Sequence, residues 1–155
     1  MPSVAFLMAN YGHDPTAPKE ACDLYAQMKK EMESMSILSW SDDSFSLLPY
    51  DLVFLPGGHE KGVVQVINSP TVHKLIADYF PQTKKPSKKC CAAICHGVMV
   101  LSESSLSSGK SVIHDVTTTA LPGTMEQSIF WATRMFLGDY YKTYGAGSES
   151  VERSV

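Results

Sequence analysis

Hydrophobic and polar positions along this chain switch between two periods, and the switching points mark its elements. Val4-Ala5-Phe6-Leu7-Met8-Ala9 is a continuous apolar run ending at Asn10-Tyr11-Gly12-His13-Asp14-Pro15. A run of that kind, bounded by turn residues, predicts a buried strand over 4–9 with a loop at its carboxyl end. From Lys19 the apolar positions Ala21, Leu24, Tyr25, Met28, Met32 and Met35 recur mostly three and four apart, with Asp23, Lys29, Lys30 and Glu33 off that face. This predicts an amphipathic helix whose methionine stripe faces the core. Ile37-Leu38-Ser39-Trp40 predicts a short strand. Asp51-Leu52-Val53-Phe54-Leu55 is the clearest strand, and Pro56-Gly57-Gly58-His59-Glu60 breaks it. Asn68-Ser69-Pro70 caps a helix over 71–79, with Val72, Leu75, Ile76 and Tyr79 on one face. Pro81 and Pro86 frame a basic loop. Cys90-Cys91-Ala92-Ala93-Ile94 then reads as a buried strand, and Val98-Met99-Val100-Leu101 as the start of a buried helix. Beyond it the pattern predicts a strand over 111–118, a turn at Leu121-Pro122-Gly123 and a helix over 126–136. The tail from Gly145 is Gly/Ser-rich and charged, and it predicts no last element.

Strands alternating with helices predict an α/β layered domain with a mostly parallel sheet and right-handed crossovers. In such sheets, sites form outside the carboxyl ends of the strands. Three predicted loops leave that edge: 10–15, 56–60 and 95–97. Together they carry one cysteine, three histidines and a glycine pair.

At 155 residues the chain is long enough for one domain with a real core. A net charge of −3 gives no basic surface for nucleic acid, and Lys84-Lys85 with Lys88-Lys89 reads as a solvated loop. No apolar run of about 18 residues predicts a membrane span. The N-terminus lacks the basic start of a signal peptide. Four cysteines, two of them adjacent, make a poor disulfide framework. They read as reduced thiols of a cytoplasmic protein.

One cysteine stands apart. Cys95-His96-Gly97 interrupts the apolar run where the strand should stop. A strand turning abruptly into a helix through small residues is a nucleophile elbow, which lifts one side chain to the helix N-terminus. The helix dipole and a neighbouring imidazolium there favour a thiolate. Cys90 and Cys91, inside the strand, fit the plain role of small core hydrophobes. Gly57 and Gly58 let backbone N–H groups approach a ligand or a reacting oxygen, although Pro-Gly-Gly alone is as often an ordinary turn. His13, Asp14 and His59 could group around zinc, but no ligand spacing supports a metal site. His73 reads as a surface residue. His114 beside Asp115 reads as a strand-end histidine.

Phe54-Leu55-Pro56-Gly57-Gly58-His59, followed by Ala92-Ala93-Ile94-Cys95-His96-Gly97, resembles the ThiJ/PfpI superfamily with its class-I glutamine amidotransferase-like architecture. The resemblance extends from 51 to about 147 and includes Val116-Thr117-Thr118-Thr119-Ala120-Leu121-Pro122. Tyr11-Gly12-His13-Asp14-Pro15 is similar to the fungal branch near the heat-shock glyoxalase-type members. The resemblance implies a flavodoxin-like three-layer sandwich with a mostly parallel central sheet. It implies Cys95 at the elbow with His96 beside it, and an oxyanion and substrate site drawn from Gly57, Gly58, His59, Gly97 and His13. Activities in the superfamily include cofactor-free hydration of methylglyoxal, disputed deglycation, proteolysis, isonitrile hydration and redox-sensitive chaperoning.

Two departures from the superfamily stand out. Members carry a helix and a strand after the first loop, where this chain runs from Thr16 almost directly to Lys19. The usual glutamate of that loop would fall at Ala17, which leaves Glu20 as the nearest substitute. Members also continue past the region of Val155 with a further strand and helix. The chain therefore reads as one shortened domain: a fragment, a splice or gene-model product, or a small divergent member.

The expected function is a cysteine-dependent, cofactor-free, metal-free reaction on a small molecule, with hydration of 2-oxoaldehydes foremost. Cys95 is the nucleophile, His96 the base and acid, and Glu20 the carboxylate. The alternatives are a redox-sensing stress protein using Cys95 as its oxidisable thiol, and a degenerate inactive member. Neither nucleic acid nor membrane is expected as a partner, and a homo-oligomer is.

Overall fold

The computed structural model describes residues 2–9 and 17–155. The chain divides into two compact units, residues 1–12 with 46–155, and residues 13–45.

The first unit is built on three short parallel strands, β1 (Val4–Phe6), β2 (Leu52–Leu55) and β3 (Cys90–Ala93), with β2 in the middle. Val4 pairs with Leu52, and Leu52 with Cys90, so the strands end nearly level. Alternation along the strands sends Ala5, Leu7, Val53 and Leu55 into the core. There they are buried along with Val66 and Ile67 of α2 (Val64–Ile67), Val72, Ile76 and Tyr79 of α3 (Pro70–Tyr79), and Val98, Val100 and Leu101 of α4 (Gly97–Glu103). Parallel strands joined through helices make this an α/β sheet of flavodoxin-like kind.

Local chemistry sets the helix ends. Ser69 Oγ accepts the Val72 N–H at 3.3 Å, and Pro70 occupies the first turn, where no N–H is needed. Tyr79 is fully buried, yet its hydroxyl donates toward the carbonyls of Tyr50 (3.2 Å) and Cys90 (3.0 Å), tying α3 to the starts of β2 and β3. The helix predicted over 126–136 is α5 (Gly123–Leu137), opening at Pro122.

Several expectations are corrected. Residues 111–118 form no strand. A lone antiparallel bridge joins Ser105 and Ser111, after which His114 and Val116 donate back to the carbonyls of Ser111 and Ile113 in turns. The apolar character there serves anchoring, since Val112 and Ile113 are buried. The tail, read as lacking an element, carries α6 (Val151–Ser154), with Val151 buried. In the second unit, residues 37–40 form no strand, having no described strand to pair with. The helix from Lys19 forms as α1 (Lys19–Met32), but none of its residues is buried, so its methionines are not the core stripe the spacing predicts.

The loop after β2 lies against the turn after β3 at a distance that excludes side chains. A Cβ on Gly57 would sit 2.3 Å from the Ile94 carbonyl oxygen and 2.5 Å from the Gly97 nitrogen, and φ there is +69°. A Cβ on Gly97 would lie 2.3 Å from the Leu55 carbonyl oxygen. Gly57→Ala and Gly97→Ala should therefore each lower stability by about 2–4 kcal/mol in urea unfolding. Gly109→Ala should cost only about 1 kcal/mol, since that position has φ +79° but open space. Equal losses at Gly57 and Gly109 would show that the close approach is not what constrains the loop.

Candidate active site

Cys95 is the one non-glycine residue with positive φ among the described residues, at 54°. A side chain in that region costs on the order of 1–3 kcal/mol unless the surroundings hold it there. They do. The Ile94 N–H donates to the Leu55 carbonyl at 3.0 Å, extending the β2–β3 ladder by one residue. The Gly97 N–H then donates back to the Ile94 carbonyl at 2.9 Å, closing the turn over Cys95. α4 starts at once, with His96 as its N-terminal flanking residue and the Met99 N–H donating to the His96 carbonyl at 3.0 Å. The strand–elbow–helix layout is thus present, and Cys95 is half-buried at its apex.

Cys95 Sγ lies 3.3 Å from Nδ1 of His96. Adjacent residues face each other here because the left-handed turn at Cys95 swings its side chain toward the ring. His96 itself is only 2% exposed. Burial is the main influence on the ring and lowers its pKa from the usual histidine range. Glu126 pulls it up, while His59 and Lys142 push it down. The ring is therefore biased toward the neutral form, which can accept a proton from the thiol.

The other expected residues fall out as follows. Gly57 and Gly97 meet across the loop–elbow contact, but the Gly97 N–H is engaged in the turn, so the oxyanion donor expected there is already taken. Gly58, at φ +128°, has open space around its Cβ position, and its N–H has no hydrogen-bond partner among the described residues. His59 follows directly. Its ring stacks on Tyr141 at 4.6 Å and meets the edge of Tyr140 at 5.1 Å, and its carbonyl accepts from Thr143 Oγ1 at 3.0 Å. Glu20 is exposed in the first turn of α1, in the second unit. His13 and Asp14 lie outside the described residues, as do Thr16 and the whole of the predicted first loop, 10–15. Among the described residues no three His, Cys, Asp or Glu side chains group as metal ligands. His73 is not a plain surface residue: it is half-buried, and its Nε2 meets the Ile67 carbonyl. Asp115 turns to Lys84 in an exposed ion pair.

Two residues beside His96 escape the sequence pattern. Glu126, on α5, and Lys142, in the segment after it, form an ion pair at 3.1 Å with side chains 4% and 2% exposed. Glu126 also accepts the Val151 N–H at 3.0 Å on its other oxygen. His96 and Glu126 line one cavity with Met99, Thr143, Tyr144 and Glu149, and it holds about one water. The one available signal for Glu126 was its place as the carboxylate in the first turn of a predicted helix. Lys142, between Tyr141 and Thr143, gave none.

Of the four thiols, Cys22 and Cys90 are exposed, and Cys91 is partly buried, with burial pushing its pKa up to about 12. The two strand cysteines cannot share a disulfide with each other across the pleat, since neighbours in a strand point to opposite faces.

A parallel α/β sheet carrying a strained cysteine elbow against a glycine loop defines the class. The ThiJ/PfpI family-like profile matches residues 5–153, and the chain belongs to that family. The chain is also 39% identical over 59 residues to an uncharacterized protein of Schizosaccharomyces pombe. That stretch is 38% of this chain and 22% of the relative, so the match spans about a fifth of the relative's length. No solved structure matches the chain. No helix among the described residues is long and apolar enough to cross a membrane.

With His96 in contact to take its proton, Cys95 should be the fastest thiol to alkylate. Iodoacetamide at pH 6, followed by mass-spectrometric mapping, should label Cys95 well ahead of Cys22 and Cys90 and leave Cys91 last. Equal rates at Cys95 and Cys90 would remove the elbow thiol from consideration.

Proposed function

We propose that the protein is a cysteine-dependent enzyme that hydrates small 2-oxoaldehydes, methylglyoxal to lactate, without glutathione, metal or organic cofactor. The reading rests on Cys95 Sγ held 3.3 Å from His96 Nδ1, on a strained turn against a glycine loop. His96 takes the thiol proton, and the thiolate adds to the aldehyde carbon, giving a hemithioacetal as the former carbonyl oxygen picks the proton up. A base then moves the hydrogen from that carbon to the neighbouring carbon, while the hemithioacetal hydroxyl gives up its proton and the neighbouring oxygen gains one, leaving a 2-hydroxy thioester. Water cleaves the thioester, releasing lactate and restoring the thiol. The net change is the addition of one water. The Gly58 N–H is the candidate donor to the developing oxyanion, a contact of about 3 kcal/mol where such donors matter.

Lactate should form from methylglyoxal with EDTA present and glutathione absent. Cys95→Ala should abolish turnover, and His96→Ala should slow it about a hundredfold or more. Glu20→Gln asks whether that carboxylate stands in for the glutamate missing at Ala17. A large loss would place Glu20 in the machinery, and an unchanged rate would exclude it. A folded wild-type protein that forms no lactate, while Cys95 oxidises readily to the sulfinate, would overturn the enzyme in favour of a redox-sensing thiol.

We also propose that the chain works as a homo-oligomer. On the sheet face turned away from the core, Val4 and Phe6 are 40% and 55% exposed, and Ile94, just past β3, is 57% exposed. Parallel sheets are seldom left open on one face. Sedimentation at micromolar concentration should show an assembly, and a stable monomer would contradict it.

A further inference from the structure

α5 is apolar on two sides, and only one of them is covered. Its inner side buries Glu126 and Phe130. The outer side carries Met125, Trp131, Met135 and Phe136, which are 54%, 58%, 87% and 87% exposed. At about 100° per residue, the exposed Ser128 and Ala132 fall on that same side, between the large residues. A helix that is apolar all round is ordinarily covered all round. Four large side chains on one helix face also form a contiguous patch, unlike the single apolar residues scattered over most surfaces.

We propose that this face of α5 docks on the same face of a second copy of the chain, the two helices crossing antiparallel about a two-fold axis between Ser128 and Ala132. The proposal rests on the reading of the chain as a homo-oligomer and gives that assembly a surface other than the open sheet face. The stripe reads alike from either end: large at Met125, small at Ser128 and Ala132, large at Met135 and Phe136. A two-fold contact requires such a pattern, because each residue meets its counterpart's partner position in both directions. With the helices antiparallel, the small residues meet at the crossing and the backbones can come close. Met125 then faces the partner's Phe136, a thioether against an aromatic ring.

Charge and area agree with this occupant. Glu126 is the one carboxylate of α5 and it is buried, so Arg134 is the only charge on the outer side. Its guanidinium lies 4.4 Å from the centre of the Trp131 ring. An antiparallel pair separates the two Arg134 side chains by about 10 Å along the axis, where a parallel pair would set them together. The Ser128 hydroxyl already donates to the Thr124 carbonyl at 2.8 Å, so covering it strands no donor. The four large side chains present roughly 600 Å² per copy, about 1,200 Å² for a pair, which reaches the lower bound of specific interfaces. A membrane surface fits less well, since one arginine on a chain of net charge −3 supplies no basic rim around the apolar stripe.

Sedimentation velocity of the full chain at micromolar concentration tests the contact. Met135→Glu and Phe136→Glu change exposed positions, so both should keep the wild-type circular dichroism while weakening association at least about tenfold. Trp131 emission, read in Trp40→Phe protein, should shift to the red as the assembly is diluted apart, and should start red in Met135→Glu. Phe6→Ser, on the sheet face, is the comparison. An assembly that survives both α5 substitutions but yields to Phe6→Ser overturns this proposal and leaves the homo-oligomer standing. A monomeric wild type overturns both. Trp131 emission that ignores dissociation also overturns the contact. So does binding of a monomeric chain to phosphatidylcholine–phosphatidylserine vesicles that is lost in Phe136→Glu, which would assign the face to a membrane.

Discussion

Everything at this site depends on two backbones meeting with no side chain between them. The loop after β2 and the turn after β3 approach so closely that a methyl group on either Gly57 or Gly97 would enter a carbonyl of the other segment, 2.3 Å away in both cases. The contact is reciprocal, which is why both glycines are needed rather than one. It lets Ile94 add one more rung to the ladder with Leu55, and the chain must then turn sharply to enter α4. That turn places Cys95 at φ 54° and turns its sulfur back onto the next residue's ring. The strained cysteine is therefore a consequence of tight packing elsewhere, and the surrounding hydrogen bonds hold the strain in place.

Burial does the rest of the work on the histidine. An imidazole 2% exposed loses the solvation that favours its charged form, and this outweighs the pull of Glu126. The region around it is assembled from distant parts of the sequence: the elbow, α5, the loop after β2 and the segment leading to α6. Val151 and Glu152 close it from the C-terminal side, with the Glu152 carboxylate accepting the Gly123 N–H at 2.8 Å at the start of α5. The polar tail that predicts no element is thus a wall of the site.

How much of this was legible in the sequence follows from how local each cause is. The central strand, the cap at Ser69, the elbow at Cys95 and the glycines beside it are all encoded within a few residues, and they form where the pattern places them. The parallel sheet and α/β layout followed from alternation, and the family from paired motifs around Gly57 and Cys95. The failures share the opposite character. Residues 111–118 have the composition of a strand but no partner strand alongside, so they fold into turns around two buried anchors. The methionines of α1 have core spacing, yet periodicity reports only which side chains share a face and says nothing of what covers it. Lys142 was invisible because its ion-pair partner, Glu126, lies sixteen positions away.

The enzyme and redox readings start from the same thiol, so what separates them is what else the chemistry demands. Oxidation of Cys95 needs only a small oxidant reaching a half-buried sulfur. Hydration of a 2-oxoaldehyde also needs a base that is free again after the first step. In the proposed reaction a single ring would meet that demand. Once Nδ1 had taken the thiol proton and returned it to the hemithioacetal oxygen, the imidazole would be neutral again and near the carbon bonded to sulfur, the carbon that must next lose its hydrogen. The neutral bias of His96 thus matters more to the proposed reaction than to sensing, since a sensor needs the proton removed from Cys95 but does not need it handed back.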